Sequence, residues 1–189
     1  MHENVFFQHI DSPHIKACFL KALEAFTPLH SHSFVVMQIP KLGYTMRAQP
    51  LLDFRILSKK RRAYKIDVND RLSLEDVTKL EDLPEQVLVG WFAHELGHIL
   101  DYQQRSALGM LWFGICYLIF PTYRLGAERR ADLYAIAQGM ADHLLVTKKY
   151  ILHHSNLPAK YLQRIEKYYM SIEEVDLIVA ASQAQERTP

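Results

Sequence analysis

Cysteine is scarce in this chain: two in 189 residues, Cys18 and Cys116, far apart and in no metal-binding or redox spacing. That excludes a disulfide scaffold and any thiolate metal cluster, and leaves two free thiols expected in apolar surroundings. An excess of charge of one sign is missing too, with 22 Lys and Arg against 21 Asp and Glu. No global field therefore favours nucleic acid, and the one basic run, Lys59 to Arg62, has no recognition helix or stacking motif around it. The first residues, MHENVFFQHI, lack a basic stretch followed by an apolar core, so a secretory signal is not expected and a cytoplasmic location is. There is no repeat, low-complexity stretch or linker to divide the chain, whose length suits a single domain over residues 1–189 with a core of its own.

Two textures follow one another along the sequence. Ser12-Pro13 reads as an N-cap and first helical residue, and Ile15, Cys18, Phe19, Ala22, Leu23 and Phe26 then recur at helical spacing. From Phe34 to Val68, short runs rich in branched and aromatic residues (FVVMQI, GYTMRA, LDFRIL, AYKIDV) alternate with Pro40, Gly43, Pro50 and the basic stretch, which predicts a small antiparallel sheet. Helical patterning then takes over, over Pro84 to Gln104, Arg124 to Lys148, Pro158 to Met170 and Ser171 to Gln183. Ser171 and Glu174 form a capping box at the start of the last stretch. A sheet followed by helices is an α+β order.

The chemistry lies in His94-Glu95-Leu96-Gly97-His98. Residues four apart on a helix share a face at about 6 Å, so both imidazoles can reach one ion from successive turns. Glu95, one residue round, can contact a water on that ion instead of the ion itself. Imidazole nitrogen suits zinc, and two histidines with one further protein ligand leave a position open for water, the pattern of a catalytic site. Asp101 and Glu128 are the candidates for that further ligand. Asp101 lies on the same face but about 4.5 Å beyond His98 at helical rise, with no Gly or Pro between them to break the helix. It is better placed to orient a neighbour. Glu128 opens Glu128-Arg129-Arg130-Ala131-Asp132, where Glu128 and Asp132 share a helical face. One can bind metal while the other accepts a hydrogen bond from a ligand imidazole.

HELGH followed some thirty residues later by ExxAD resembles the gluzincin branch of the zincin metallopeptidases, over about forty residues from Ala93 to Asp132. The resemblance implies zinc held by His94, His98 and Glu128, catalysis by Glu95 through a zinc-bound water, Asp132 behind a ligand histidine, and a peptide or protein substrate. It implies a zincin-like helical core in which small Ala131 lets two helices approach. It also implies an edge strand before the motif helix, for which AYKIDV is the candidate. In such enzymes a Tyr or His after the third ligand often stabilises the oxyanion. Tyr134, His143, Tyr150, His153 and His154 follow Glu128, and the Tyr150 to His154 cluster is favoured because it ends the Glu128 helix and can fold back over the cleft. The competing expectation is a zincin-like module kept for binding or regulation, against which the intact Glu95 argues.

Between the two motifs, Ala107 to Phe120 carries no charge. As a helix it spans roughly 21 Å, short of a hydrocarbon core of about 30 Å, so it is not expected to cross a bilayer. It is expected to be a helix covering the core or an interface, with contact to a membrane surface, aided by Lys59 to Arg62, or a wall of a hydrophobic substrate cleft as the alternatives.

Overall fold

The structure, a computed structural model, describes residues 3–72, 78–153 and 157–186. Among them, in chain order, are β1 (Val5–Gln8), α1 (Pro13–Ala25), β2 (Ser33–Gln38), β3 (Met46–Pro50), β4 (Ala63–Val68), α2 (Glu85–Gln103), α3 (Ala107–Ile119), α4 (Pro121–Ala137), α5 (Ala141–His153), α6 (Ala159–Tyr168) and α7 (Ile172–Glu186). The α+β order is as the sequence predicts.

The sheet is mixed, not antiparallel, with strand order β1-β2-β4-β3. The strand that sequence reading missed, β1, is tied to β2 by α1, and a helical crossover of that length returns the chain parallel. β4 then inserts between β2, to which it is parallel, and β3, to which it is antiparallel. Its central place follows from its side chains: five of its six residues are buried, so both its faces are covered. LDFRIL is not a strand. Asp53 accepts a hydrogen bond from Arg55 N at 2.8 Å and starts a 3-10 turn, Phe54–Leu57, that leaves Phe54 and Leu57 in solvent.

α1 is capped as expected, with Ser12 Oγ accepting from Ile15 N at 3.4 Å and Pro13 in the first turn. Its Phe19 stands edge-on to Phe34 of β2 at 5.8 Å and to Phe92 of α2 at 5.4 Å, so α1 fills the layer between sheet and motif helix. Both cysteines are buried and free.

α2 is the hub of the fold. It is buried continuously from Val87 to Tyr102, which an amphipathic surface helix never is. Two glycines make that enclosure possible. A Cβ on Gly97 would lie 2.2 Å from the carbonyl oxygen of Ala131 on α4, and one on Gly90 would lie 2.2 Å from Thr147 Oγ1 on α5. At the first of these points the backbones of α2 and α4 touch.

The single helix expected over Arg124 to Lys148 is two. Gly139, at φ 78°, lets Gly139 N donate to Ile136 O and Met140 N to Ala135 O, the paired bonds that end α4, and α5 turns back along α2. At the next junctions the sequence reading holds: Glu174 N donates to Ser171 Oγ at 3.2 Å and Ser171 N to Glu174 Oε2 at 2.9 Å.

α3 is a helix, capped by Ser106 Oγ on Gly109 N. Met110, Phe113 and Cys116 enter the core, but the opposite side does not, so the expected covering role accounts for one face only. Among the described residues no single helix is long and apolar enough to cross a membrane.

Candidate metal centre

Helical spacing puts His94 and His98 on one face of α2, and the close contact between Gly97 and Ala131 brings the middle of α4 against that face. Three ligand-type atoms converge there, one each from His94, His98 and Glu128, within 4.8 Å of one another and all on buried residues. Glu128 Oε2 lies 3.1 Å from His94 Nε2 and 3.3 Å from His98 Nε2, and the two rings meet edge to face with centroids 4.7 Å apart.

Asp132, one turn beyond Glu128, sits behind His94, its Oδ1 2.9 Å from Nδ1. Its other oxygen accepts from Lys148 Nζ at 2.9 Å and from Met170 N at 3.2 Å. Burial opposes ionisation of Asp132, but the charges of Lys148 and His94 and their hydrogen bonds outweigh it and bring its pKa down to about 2. A carboxylate at this position holds the proton of His94 on Nδ1. Nε2 then presents a lone pair to Glu128 Oε2, and two lone pairs at 3.1 Å need a cation between them. A second proton is one solution, a metal the other. Burial works against an imidazolium here, yet the bonds to Asp132 and Glu128 raise the pKa of His94 to about 10. Glu128 is likewise held well below the usual carboxylate range, against its burial, by the charges of His98 and His94 and its bonds to them. Two imidazoles and a carboxylate, with an acid behind one ring, are a donor set that fits zinc.

Glu95 faces the same space without touching the triad. Its Oε2 accepts from Ala48 N of β3 at 2.6 Å, while Tyr102 donates its hydroxyl to Ala48 O at 3.2 Å. Burial raises the pKa of Glu95, and the charges of His98 and His94 oppose that rise. Asp101 is not part of the centre. It accepts from Arg105 at 2.9 Å and from Arg130 at 3.2 Å, one turn away, as helical rise requires.

A cavity of about 760 Å³ opens beside the triad, lined by Glu95, His98, Glu128 and all five residues of β3. The strand along it is therefore β3, at the sheet edge, and not AYKIDV, which forms the interior strand β4. Sequence reading missed the five tyrosines in its wall, Tyr44, Tyr102, Tyr117, Tyr161 and Tyr169. Tyr117 donates its hydroxyl to Glu128 Oε1, and the Tyr169 ring lies 4.9 Å from that of His94. Tyr102 was findable, being four residues after His98 on the same face. Tyr117 is a lone phenol in an apolar run, and Tyr169 is the extended residue just past the end of α6, which no local pattern ties to the site.

No known protein family, curated protein or solved structure matches this chain. What the centre can do therefore rests on its residues. Tyr134, His143, Tyr150 and His153 do not line the cavity. For His143, Tyr150 and His153, all on α5, the reason is the turn at Gly139, which sends α5 back so that Thr147 reaches Val87 O and Lys148 reaches Asp132. His154 lies outside the described residues.

The protonation of His94 gives a measurable consequence. Near neutral pH a metal entering the triad displaces the proton on Nε2, because that pH lies below the raised pKa of about 10. Zinc binding is expected to release about one proton, with affinity rising roughly tenfold per pH unit and flattening once the proton is gone. Calorimetry in buffers of different ionisation enthalpy reads this directly. A binding enthalpy independent of buffer would contradict it.

Proposed function

We propose that this chain is a zinc-dependent metallopeptidase of the gluzincin kind, with zinc on His94, His98 and Glu128 and Glu95 as general base. The observation that carries the proposal is the convergence of His94 Nε2, His98 Nε2 and Glu128 Oε2 at one buried point, with Asp132 fixing the far nitrogen of His94. A zinc ion bound there supplies a Lewis acid that makes water more acidic and polarises a carbonyl.

The remaining work falls to the protein. Glu95, kept more basic than an ordinary carboxylate by burial, takes the proton of the attacking water and passes it to the nitrogen of the leaving amine. Its bond from Ala48 N aims the carboxylate at the cavity. β3 is an edge strand along that cavity, and an extended peptide pairing with it at mid-strand would replace the bonds that Ala48 N and O now make to Glu95 and Tyr102. Asp132, Lys148 and Met170 N hold the imidazole of His94 in one orientation.

Incubation with unfolded protein substrates tests the reading. Zinc-loaded chain is expected to cleave them, to stop on addition of a zinc chelator and to resume when zinc is restored. If the zinc-loaded chain cleaves no unfolded protein and no member of a peptide library, a binding module on the same centre replaces the enzyme.

A further inference from the structure

We infer that the outer face of α3, with the 3-10 turn Phe54–Leu57, is a docking face for an anionic lipid bilayer. α3 is apolar on both sides. Its inner side is core, but Leu108, Leu111, Trp112, Leu118 and Ile119 point outward, Trp112 with 63 % and Leu118 with 75 % of their surface exposed. Leu52, Phe54 and Leu57 are more than three-quarters exposed. The two groups flank one opening, since Leu52 and Ile56 line the same cavity as Leu111, Ile115 and Leu118. A helix that is apolar all round belongs in a core or against lipid, and an exposed apolar patch of this kind on a water-facing surface is costly.

Charge decides the occupant. α3 has none of its own, but cations stand at both its ends. At its start Lys59 donates to Gln104 O at 2.9 Å, with Lys60 and Arg61 exposed beside it. At its end Arg124 donates to Tyr117 O and Leu118 O and lies over the Tyr168 ring, as does Lys167. Arg62 is not available, being buried on the carbonyls of Tyr102 and Arg105. The one acid in the 3-10 turn segment, Asp53, is paired with Arg55. Two copies of this face brought together would oppose cation to cation around an apolar centre. Anionic headgroups complement the same rim, while α3 lies in the interface plane, too short to span. The cavity then opens at the bilayer surface.

The test is co-sedimentation of the full chain with vesicles of zwitterionic lipid alone or mixed equally with anionic phosphatidylglycerol. Binding is expected to the mixed vesicles, to weaken on the order of tenfold between low and high salt, and to be far weaker on zwitterionic ones. Leu108→Gln with Trp112→Gln, both outside the cavity wall, is expected to cut vesicle affinity at least about tenfold while leaving cleavage of a soluble peptide unchanged. Lys60→Gln with Arg61→Gln is expected to reduce anionic binding by a similar factor. The readout needs no catalysis, so it stands apart from the peptidase reading. Wild-type chain left in the supernatant with anionic vesicles at low salt would overturn the inference. So would a dimer that dissociates in the Leu108→Gln, Trp112→Gln variant with no vesicle binding by either protein, because the face would then be a self-interface.

Discussion

Glu95→Gln is expected to keep zinc at wild-type stoichiometry and to lose hydrolysis by a factor on the order of a thousand, within the range that general base catalysis contributes. The separation follows from geometry. Glu95 spends its hydrogen-bonding oxygen on Ala48 N and makes no bond to His94, His98 or Glu128. A glutamine amide oxygen can accept the same bond in the same volume, so neither α2 nor β3 has cause to move. What disappears is the carboxylate proposed to take a proton from water. The measurement is kcat on an unfolded protein substrate beside metal content of the same preparation. Activity within a few-fold of wild type would remove Glu95 from the mechanism, and loss of zinc along with activity would make it a ligand.

Glu128→Ala is expected to weaken zinc binding by roughly a hundredfold or more, because the outer partners of a ligand alone are worth 10–100-fold. Glu128 is the only carboxylate in the converging triad, and its removal also strands the hydroxyl of Tyr117. Asp101→Ala is the contrasting variant. It breaks the pairing with Arg105 and Arg130, which costs about 1–3 kcal/mol of stability, yet leaves zinc affinity within a few-fold. Competition with a chromogenic chelator separates the two. If Asp101→Ala lost zinc and Glu128→Ala kept it, the third ligand would have to be reassigned.

The parts of the site that were legible in the sequence are those whose geometry is set within one helix. His94 and His98 share a face because they are four apart, and so do Glu128 and Asp132. The same rise that joins the histidines excludes Asp101. Once α4 meets α2 at Gly97, both pairs fall into register, and Asp132 finds His94. What stayed hidden is tertiary. The bond from Ala48 to Glu95 uses a backbone N–H, which no side-chain pattern announces. Lys148 pairs with Asp132 because α5 folds back, and that fold hangs on Gly139, a residue that apolar periodicity reads through. AYKIDV alternates well enough to pass for an edge strand, but its central position depends on β1 and β2 arriving beside it. α3 shows the converse. An uncharged sequence gives the helix but not which of its sides is covered.

Zinc-edge anomalous diffraction from crystals of the zinc-loaded chain tests the central assignment most directly. The expected result is a single strong peak per chain between α2 and α4, with His94 Nε2 and His98 Nε2 at about 2.0–2.1 Å and a Glu128 oxygen at about 2.0–2.2 Å. No peak at this position in zinc-loaded crystals, or a peak coordinated by residues other than these three, would contradict it.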